Sequence, residues 1–137
     1  MNAIASLKNQ MALRPLWMNG ILLFCLYMTF IYLPWDIFIK PLAEDQEVWF
    51  GVLFTGWAAK FGGVLHWFVY GAGAYGYLKM KRWIHPWAIV YLLQVAIGML
   101  VWSLLDSRGG LISGAVAASL FVVLAGLSWR SRNLFQG

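Results

Sequence analysis

The longest uncharged stretches of this chain match the thickness of a membrane. From Leu16 to Trp35 no residue carries a charge, and a helix needs about 20 mostly apolar residues to cross the hydrocarbon core. Of the 137 residues, 62% are hydrophobic and 11% are charged, whereas a soluble domain has about 25% charged residues. A soluble fold of this size could not bury so much apolar surface. We therefore predict an integral, multi-pass membrane protein, and we exclude a disordered chain, a nucleic-acid-binding domain and an ordinary soluble enzyme.

The hydropathy pattern predicts an all-α fold, a bundle of four membrane spans that forms one domain over residues 1–137. The predicted spans are Leu16–Phe38, Phe61–Leu78, Pro86–Leu105 and Leu111–Trp129. A continuous helix from Val48 to Leu78 would be about 46 Å long, which exceeds the bilayer core. Residues 48–59 are therefore expected to form a separate interfacial or re-entrant segment between the first two spans.

The basic residues predict the orientation of the spans, because cytoplasmic loops carry an excess of Lys and Arg. Four spans place seven of the ten basic residues on one side, namely Lys8, Arg14, Lys79, Lys81, Arg82, Arg130 and Arg132. The other side holds Lys40, Arg108 and all five acidic residues, and Lys60 is ambiguous. Both termini are therefore predicted to be cytoplasmic, in the inner membrane if the protein is bacterial.

Two predicted spans combine glycines with polar and aromatic residues along one helical face. In the second span these are Gly63, His66, Tyr70, Gly73 and Tyr77, and in the third they are Tyr91, Gln94, Gly98 and Trp102. Residues three and four apart share a helix face, and an ionisable residue within a span suggests a functional site. The alternative, which is favoured for both His66 and Gln94, is a structural residue that forms hydrogen bonds between helices. One possibility is that His66 and Gln94 face one another across a shared cavity. Most tryptophans fall near span ends, as in an aromatic belt, but Trp67 lies within the second span.

Charged residues near the outer end of the first span allow two interpretations. Asp36 is either a solvated boundary residue or lies just inside the interface, where Lys60 could be its partner. The cluster of Glu44, Asp45 and Glu47 is expected to be a solvated loop, since acid or base catalysis would require one carboxyl group to fold back into an apolar pocket. Cys25 is the single cysteine, and the two histidines are far apart along the chain. No metal or cofactor site is therefore predicted.

The segment from Ala74 to Tyr91, AYGYLKMKRWIHPWAIVY, resembles the EXPERA-domain family of emopamil-binding sterol isomerases and sigma-2-receptor relatives. The shared pattern is a small and aromatic helix end, a basic turn with a Trp, and a Pro near the start of the next helix. The resemblance implies four helices around a membrane-facing cavity for a sterol-like or cationic amphiphile. The isomerases of that family use an acidic residue in the second helix, whereas Phe61 to Tyr70 contains His66 and no carboxylate.

The leading functional hypothesis is a binder of an apolar isoprenoid- or sterol-like lipid in an intramembrane pocket. An enzymatic version would isomerise or cyclise that lipid, with His66 transferring a proton and Asp36 stabilising a cationic intermediate. Tyr70, Gln94, Lys60, Trp67 and Tyr91 would bind the ligand. The expected partners are membrane lipids and an apolar or amphiphilic small molecule.

An alternative hypothesis is a non-catalytic accessory subunit of a larger membrane complex, and a transporter is a third. The GAGAYG segment and the small residues Gly110, Gly114, Ala117 and Ala118 would then be contact surfaces, because small residues allow helices to pack closely. The small residues of the fourth span could pack inside the bundle or form the face of a homodimer.

Overall fold

The computed structural model describes residues 2–106 and 110–136, and it is mainly helical. The connection predicted at Ser107, Arg108 and Gly109 lies outside the described residues. The helices are α1 (Ala3–Ala12), α2 (Leu16–Tyr27), α3 (Leu33–Phe38), α4 (Gly56–Lys79), α5 (Ile84–Leu105) and α6 (Leu111–Arg130). A π-helical turn (Met28–Tyr32) joins α2 to α3, and two short strands, β1 (Gln46–Trp49) and β2 (Val52–Thr55), precede α4.

Three helices are long and apolar enough to cross a membrane, by length and composition. They are Leu16–Phe38, which joins α2, the π-helical turn and α3, and then Ile84–Leu105 and Leu111–Arg130. These helices agree with the prediction of a multi-pass membrane protein and with three of the four predicted spans. Helix α4 has 24 residues and a length of about 36 Å, but its glycines, tyrosines and His66 make it less apolar. That α4 is a fourth span remains a prediction.

The segment between the first span and α4 is a β-hairpin followed directly by helix. Residues 48–59 were expected to be separate from a helix beginning at Phe61, but α4 begins five residues earlier, at Gly56. The strands pair antiparallel, with Gln46 opposite Thr55 and Trp49 opposite Val52. The turn residues Phe50 and Gly51 have φ angles of 48° and 84°, and positive φ at both central positions is typical of tight hairpin turns.

The helices pack as two closed pairs with an open seam between them. In the first pair α4 packs against the long helix that joins α2 and α3, and in the second pair α5 packs against α6. Helices α4 and α5 touch over only a small part of their lengths. Gly114 and Ala118 of α6 lie inside the second pair. A Cβ atom on Gly114 would lie 2.0 Å from Ser103 Oγ, and Ala118 is also buried. These contacts agree with the interpretation that the small-residue face packs internally.

The basic end of the bundle is closed by apolar side chains and by Arg14. Met18, Leu22, Tyr77, Met80, Ile84 and Phe135 form one buried cluster there. Arg14 Nη1 donates to the carbonyl oxygens of Tyr77 at 3.0 Å and of Leu78 at 3.2 Å. These carbonyl groups lie at the C-terminal end of α4, where the helix dipole favours a cation. The N-terminal arm, the basic turn after α4 and the C-terminal segment therefore meet at one end of the bundle.

Candidate functional site in the seam between α4 and α5

The polar face predicted on α4 points into the bundle. His66, Tyr70 and Tyr77 are all buried, one or two helical turns apart. Helix geometry fixes this arrangement, because side chains at steps of three and four residues lie above one another on the helix surface. His66 and Tyr70 face α5, while Tyr77 belongs to the apolar cluster at the basic end.

A chain of hydrogen bonds runs from the hairpin through His66 to two tyrosines. Glu47 Oε2 lies 3.0 Å from His66 Nε2, and His66 Nδ1 lies 2.5 Å from the Tyr91 hydroxyl oxygen. A further side-chain hydrogen bond joins Tyr91 to Tyr70. The imidazole also stacks on the indole of Trp49, with ring centroids 3.9 Å apart. We call Glu47, His66, Tyr91 and Tyr70 the polar chain, and it is the arrangement in the seam best suited to carry a proton.

His66 and Gln94 line the same cavity, as the spacing of polar residues suggested. This polar cavity has a volume of about 340 Å³ and also contacts Gln46, Glu47 and Tyr91. Gln94 is 2% exposed, and its Oε1 accepts a hydrogen bond of 3.4 Å from the backbone N–H of Phe50. The hairpin turn is therefore held against α5 and covers one end of the polar cavity.

A second, larger cavity lies in the seam beside the polar one. It has a volume of about 700 Å³ and an almost wholly apolar lining, with walls from α2, α4, α5 and α6. Its lining includes Ile21, Phe24, Trp87, Ala88, Leu120 and Leu124. Tyr70, Tyr91 and Val95 line both cavities. The tyrosine end of the polar chain thus forms the boundary between an apolar chamber and a polar one.

Four charged side chains form a buried network at the hairpin end of α4. The Lys40 ammonium lies 3.2 Å from Asp36 Oδ1, and the Lys60 ammonium lies 2.9 Å from Asp45 Oδ2. Lys60 also donates to the backbone carbonyls of Asp36 and Lys40. The expected pairing of Lys60 with the Asp36 carboxylate is therefore corrected, because Lys40 pairs with that carboxylate and Lys60 binds the Asp36 carbonyl group. Asp36 is 1% exposed, so the alternative of a solvated boundary residue is wrong.

The acidic cluster had been expected to form a solvated loop, but only part of it is exposed to solvent. Glu44 is exposed, but Asp45 is 1% exposed and Glu47 folds back to His66. Carboxylate oxygens of Asp36, Asp45 and Glu47 lie within 4.8 Å of one another. Oxygen ligands at such spacing could hold a hard cation, but the ammonium groups of Lys40 and Lys60 already lie against the two aspartates. The charged network therefore joins the first span, the loop and α4 through ion pairs and hydrogen bonds.

Three residues predicted for the site lie away from the two cavities. Asp36 and Lys60 belong to the charged network, and neither is among the described residues that line the cavities. Trp67 faces the first span, where its Nε1 donates to the carbonyl oxygen of Thr29 at 2.8 Å. Thr29 lies in the π-helical turn, where α-helical hydrogen bonding is interrupted. Trp67 therefore stabilises the turn rather than facing a cavity.

Two members of the site were not singled out from the sequence. Glu47 was treated as one of three acids in a cluster expected to be solvated, and Trp49 as an interfacial tryptophan. Both lie on β1 at alternate positions, so their side chains share one face of the strand. The alternation of polar and apolar residues over Glu47, Val48 and Trp49 was the available signal, but three residues are too few to predict a strand.

No model of a protein family, no curated protein and no solved structure matches this chain. The resemblance of residues 74–91 to the EXPERA-domain family stays a prediction. Function is inferred from the geometry of the two cavities.

Proposed function

We propose that this chain is a four-span membrane protein that binds an apolar isoprenoid- or sterol-like lipid in the seam between α4 and α5. The observation that carries the proposal is the junction of the two cavities. An apolar chamber of about 700 Å³ meets a polar chamber of about 340 Å³ at Tyr70 and Tyr91. A lipid with a long hydrocarbon body and one small polar group would fit this arrangement, with its body in the apolar chamber and its polar group in the polar one.

The apolar chamber has the size and lining of a small-molecule site. Such sites have volumes of about 300–1,000 Å³, are lined mainly by apolar and aromatic side chains, and contain few placed polar groups. The walls from α2, α5 and α6 belong to helices that are long and apolar enough to cross a membrane. A lipid entering from the bilayer would exchange one hydrocarbon environment for another. Shape and the few polar contacts would therefore decide which lipid binds.

The polar chain would hold the polar group of the lipid and could exchange a proton with it. Tyr70 and Tyr91 are at the boundary, and His66 is one hydrogen bond further from the apolar chamber. In an enzymatic form of the proposal, the protein isomerises a double bond of the lipid. One proton is added to a carbon of the double bond and another is removed from a neighbouring carbon, so that the atoms balance. His66 would be the acid and base, and Glu47 would hold the imidazole in place, as carboxylates often do for a functional histidine. Asp36 is paired with Lys40 and has no part in this form.

The proposed membrane orientation is the one that the basic residues predict. Arg14 contacts the end of α4 that leads into Lys79, Lys81 and Arg82. The acidic and hairpin residues lie at the opposite end of α4. The positive-inside rule places the basic end, with both termini, in the cytoplasm.

Gly20 offers a direct test of the apolar chamber. It lines the cavity, and a Cβ atom there would have no atom within 4 Å. Gly20→Phe should therefore add a bulky side chain to the wall of the chamber without a clash at its Cβ atom. Gly126 on α6 is a matched control, since it also has nothing within 4 Å and does not line the chamber.

The measurement is native mass spectrometry of the solubilised protein, with extraction and identification of the lipids it retains. The wild type and Gly126→Phe should retain an enriched isoprenoid or sterol-like lipid, and Gly20→Phe should lose most of it. Equal retention by all three proteins would place the lipid outside the chamber. A lipid-free wild type that copurifies with larger membrane subunits would instead favour the accessory-subunit hypothesis.

A further inference from the structure

The polar cavity is lined by acidic, aromatic and amide side chains and by one histidine. Its ionisable lining residues are Glu47, His66 and three tyrosines, Tyr32, Tyr70 and Tyr91. Across the part of the chain that the structure describes, neither a lysine nor an arginine lines it. The nearest full charge to the Tyr91 hydroxyl, along the polar chain, is the Glu47 carboxylate.

The lysines near Glu47 are already occupied. Lys40 pairs with Asp36, and Lys60 pairs with Asp45 while it donates to two backbone carbonyls. The three clustered carboxylates outnumber these two ammonium groups by one. Counted without His66, these formal charges leave one net negative charge at this end of the site.

A phosphate group would have poor partners in this chamber. Proteins bind phosphate with Arg or Lys side chains or with the free N–H groups of a helix N-terminus. Here a phosphate would approach the Glu47 carboxylate in a partly buried place, where repulsion between like charges is stronger than in water. Burial of an unpaired charge adds a further cost.

A hydroxyl or carbonyl group could form hydrogen bonds with residues of the same cavity. Tyrosine hydroxyls and imidazole can each donate or accept a hydrogen bond, and a glutamine amide offers two donors and an acceptor. Tyr91 and Gln94 present such groups to one cavity, and His66 is joined to the Tyr91 hydroxyl through its Nδ1. An uncharged polar group would thus gain hydrogen bonds without a charge to be neutralised.

We infer that the site selects lipids with an uncharged hydroxyl or carbonyl group over the corresponding phosphates, and that Glu47 sets this selectivity. The inference rests on the lipid site proposed above and specifies its substrate class. Glu47 acts here on the polar group of the ligand, at the opposite end of the site from the chamber that Gly20 lines.

The test compares geranylgeraniol with geranylgeranyl phosphate, two probes with the same hydrocarbon chain. Binding of each is measured with the full-length protein in nanodiscs of uncharged lipid, by competition with radiolabelled geranylgeraniol. The wild type should prefer the alcohol by at least about tenfold, which is about 1.4 kcal/mol. Glu47→Gln should reduce that preference at least about threefold, because it removes the charge and keeps the shape. Glu44→Gln is the matched control, since Glu44 is an exposed acid of the same segment, and it should leave the preference unchanged.

A second variant keeps the test decisive if Glu47→Gln does not fold. Met99 lines the polar cavity and is 38% exposed, so Met99→Lys can add a cation there with its stem against apolar surface. That variant should bind the phosphate more tightly than the wild type does. Equal or stronger binding of the phosphate by the wild type would overturn the inference and leave the lipid site intact. Failure of both probes to displace any bound lipid, with Gly20→Phe behaving as wild type, would instead overturn the lipid site itself.

Discussion

The two closed helix pairs and the open seam between them are built from different residues. In one pair, α5 and α6 approach closely because Gly114 offers no side chain against Ser103. In the other, Gly63 lets α4 approach α3, with Asp36 Oδ2 3.2 Å from the position of a Cβ atom. In the seam, by contrast, the facing residues of α4 and α5 are large and partly polar, and Tyr70 and Tyr91 meet edge to face with ring centroids 5.4 Å apart.

This difference explains how a small bundle can keep a cavity. Large aromatic side chains hold α4 and α5 apart, and the hairpin bridges them at one end through Glu47 and the Gln94 hydrogen bond. The seam would collapse if the pairs themselves could shift. Stability should therefore reside in the pairs, and ligand binding in the seam. Substitutions can break or sharpen that division.

The largest loss of stability is expected from Lys60→Met in the α3–α4 pair. The change leaves the Asp45 carboxylate, which is 1% exposed, without its nearest cation. Loss of one partner of a buried ion pair costs about 3–5 kcal/mol. The measurement is the free energy of unfolding in mixed detergent micelles. Lys79→Met, at an exposed position of the same helix, is the control and should change it by less than about 0.5 kcal/mol.

The double variant Lys60→Met with Asp45→Asn tests the cause of that loss. Replacing both partners removes the uncompensated charge, so at least about half of the lost stability should return. A double variant no more stable than Lys60→Met would mean that the lysine acts through the backbone carbonyls of Asp36 and Lys40 instead.

The second closed pair is tested by Gly114→Leu. A leucine side chain has no room there, because a Cβ atom alone would lie 2.4 Å from Ser103 Cβ and 3.2 Å from the Met99 carbonyl oxygen. Overpacking of a closed contact costs about 1–3 kcal/mol. Gly126→Leu, on the same helix with nothing within 4 Å, should be nearly neutral. Equal thermal stability of the two variants in detergent would show that α5 and α6 are not closely packed in the membrane.

Much of the bundle could be predicted from the sequence, because local patterns determine it. Apolar length predicted four spans, three of which are helices long and apolar enough to cross a membrane. Helical spacing brought His66, Tyr70 and Tyr77 to one buried face. The shared cavity of His66 and Gln94 also followed from two polar residues in apolar helices, since an unpaired polar group there is costly.

The hairpin and the charged network could not be predicted in the same way. Each strand has four residues, too few for a clear alternating pattern. Asp36 and Lys60 are joined only through the fold. The four-residue spacing of Asp36 and Lys40 was a local signal for their ion pair, but it did not show that Lys60 binds the Asp36 carbonyl group instead. The apolar cavity depends on the distance between two helix pairs, which no local pattern records. The lone Lys60 between two uncharged runs was the best sequence signal that a buried acid was near.

The seam should respond to mutation less than the pairs do. Tyr91→Phe removes one hydroxyl from the polar chain and keeps the ring that props α5 away from α4. A hydrogen bond of this kind contributes about 0.5–1.5 kcal/mol, so the free energy of unfolding should fall by about 1 kcal/mol. Binding of geranylgeraniol should weaken in the same variant. Tyr75→Phe, at an exposed position of α4, is the control for both measurements. A loss as large as that of Lys60→Met would contradict the division, because the seam would then be a main source of stability.

The smallest expected effect is that of neutral to mildly alkaline pH on the charged network. Burial by itself lowers the pKa of Lys40, but the hydrogen bond to Asp36 and the charges of Asp36 and Asp45 outweigh burial and raise it above its ordinary 10.5. The folded chain therefore binds this proton more tightly than the unfolded chain does. The contribution of Lys40 to stability is complete below the unfolded pKa and is lost as pH rises through the folded one.

The difference in free energy of unfolding between the wild type and Lys40→Met isolates that contribution, since other titrating groups are common to both proteins. It should stay constant from about pH 7 to about pH 10 and shrink only above the ordinary lysine pKa. Lys8→Met, at an exposed position of α1, should differ little from the wild type throughout. A difference that already declined near pH 9 would mean that Lys40 releases its proton early. The tie between the first span and the loop would then rest on Lys60 and Asp45 alone.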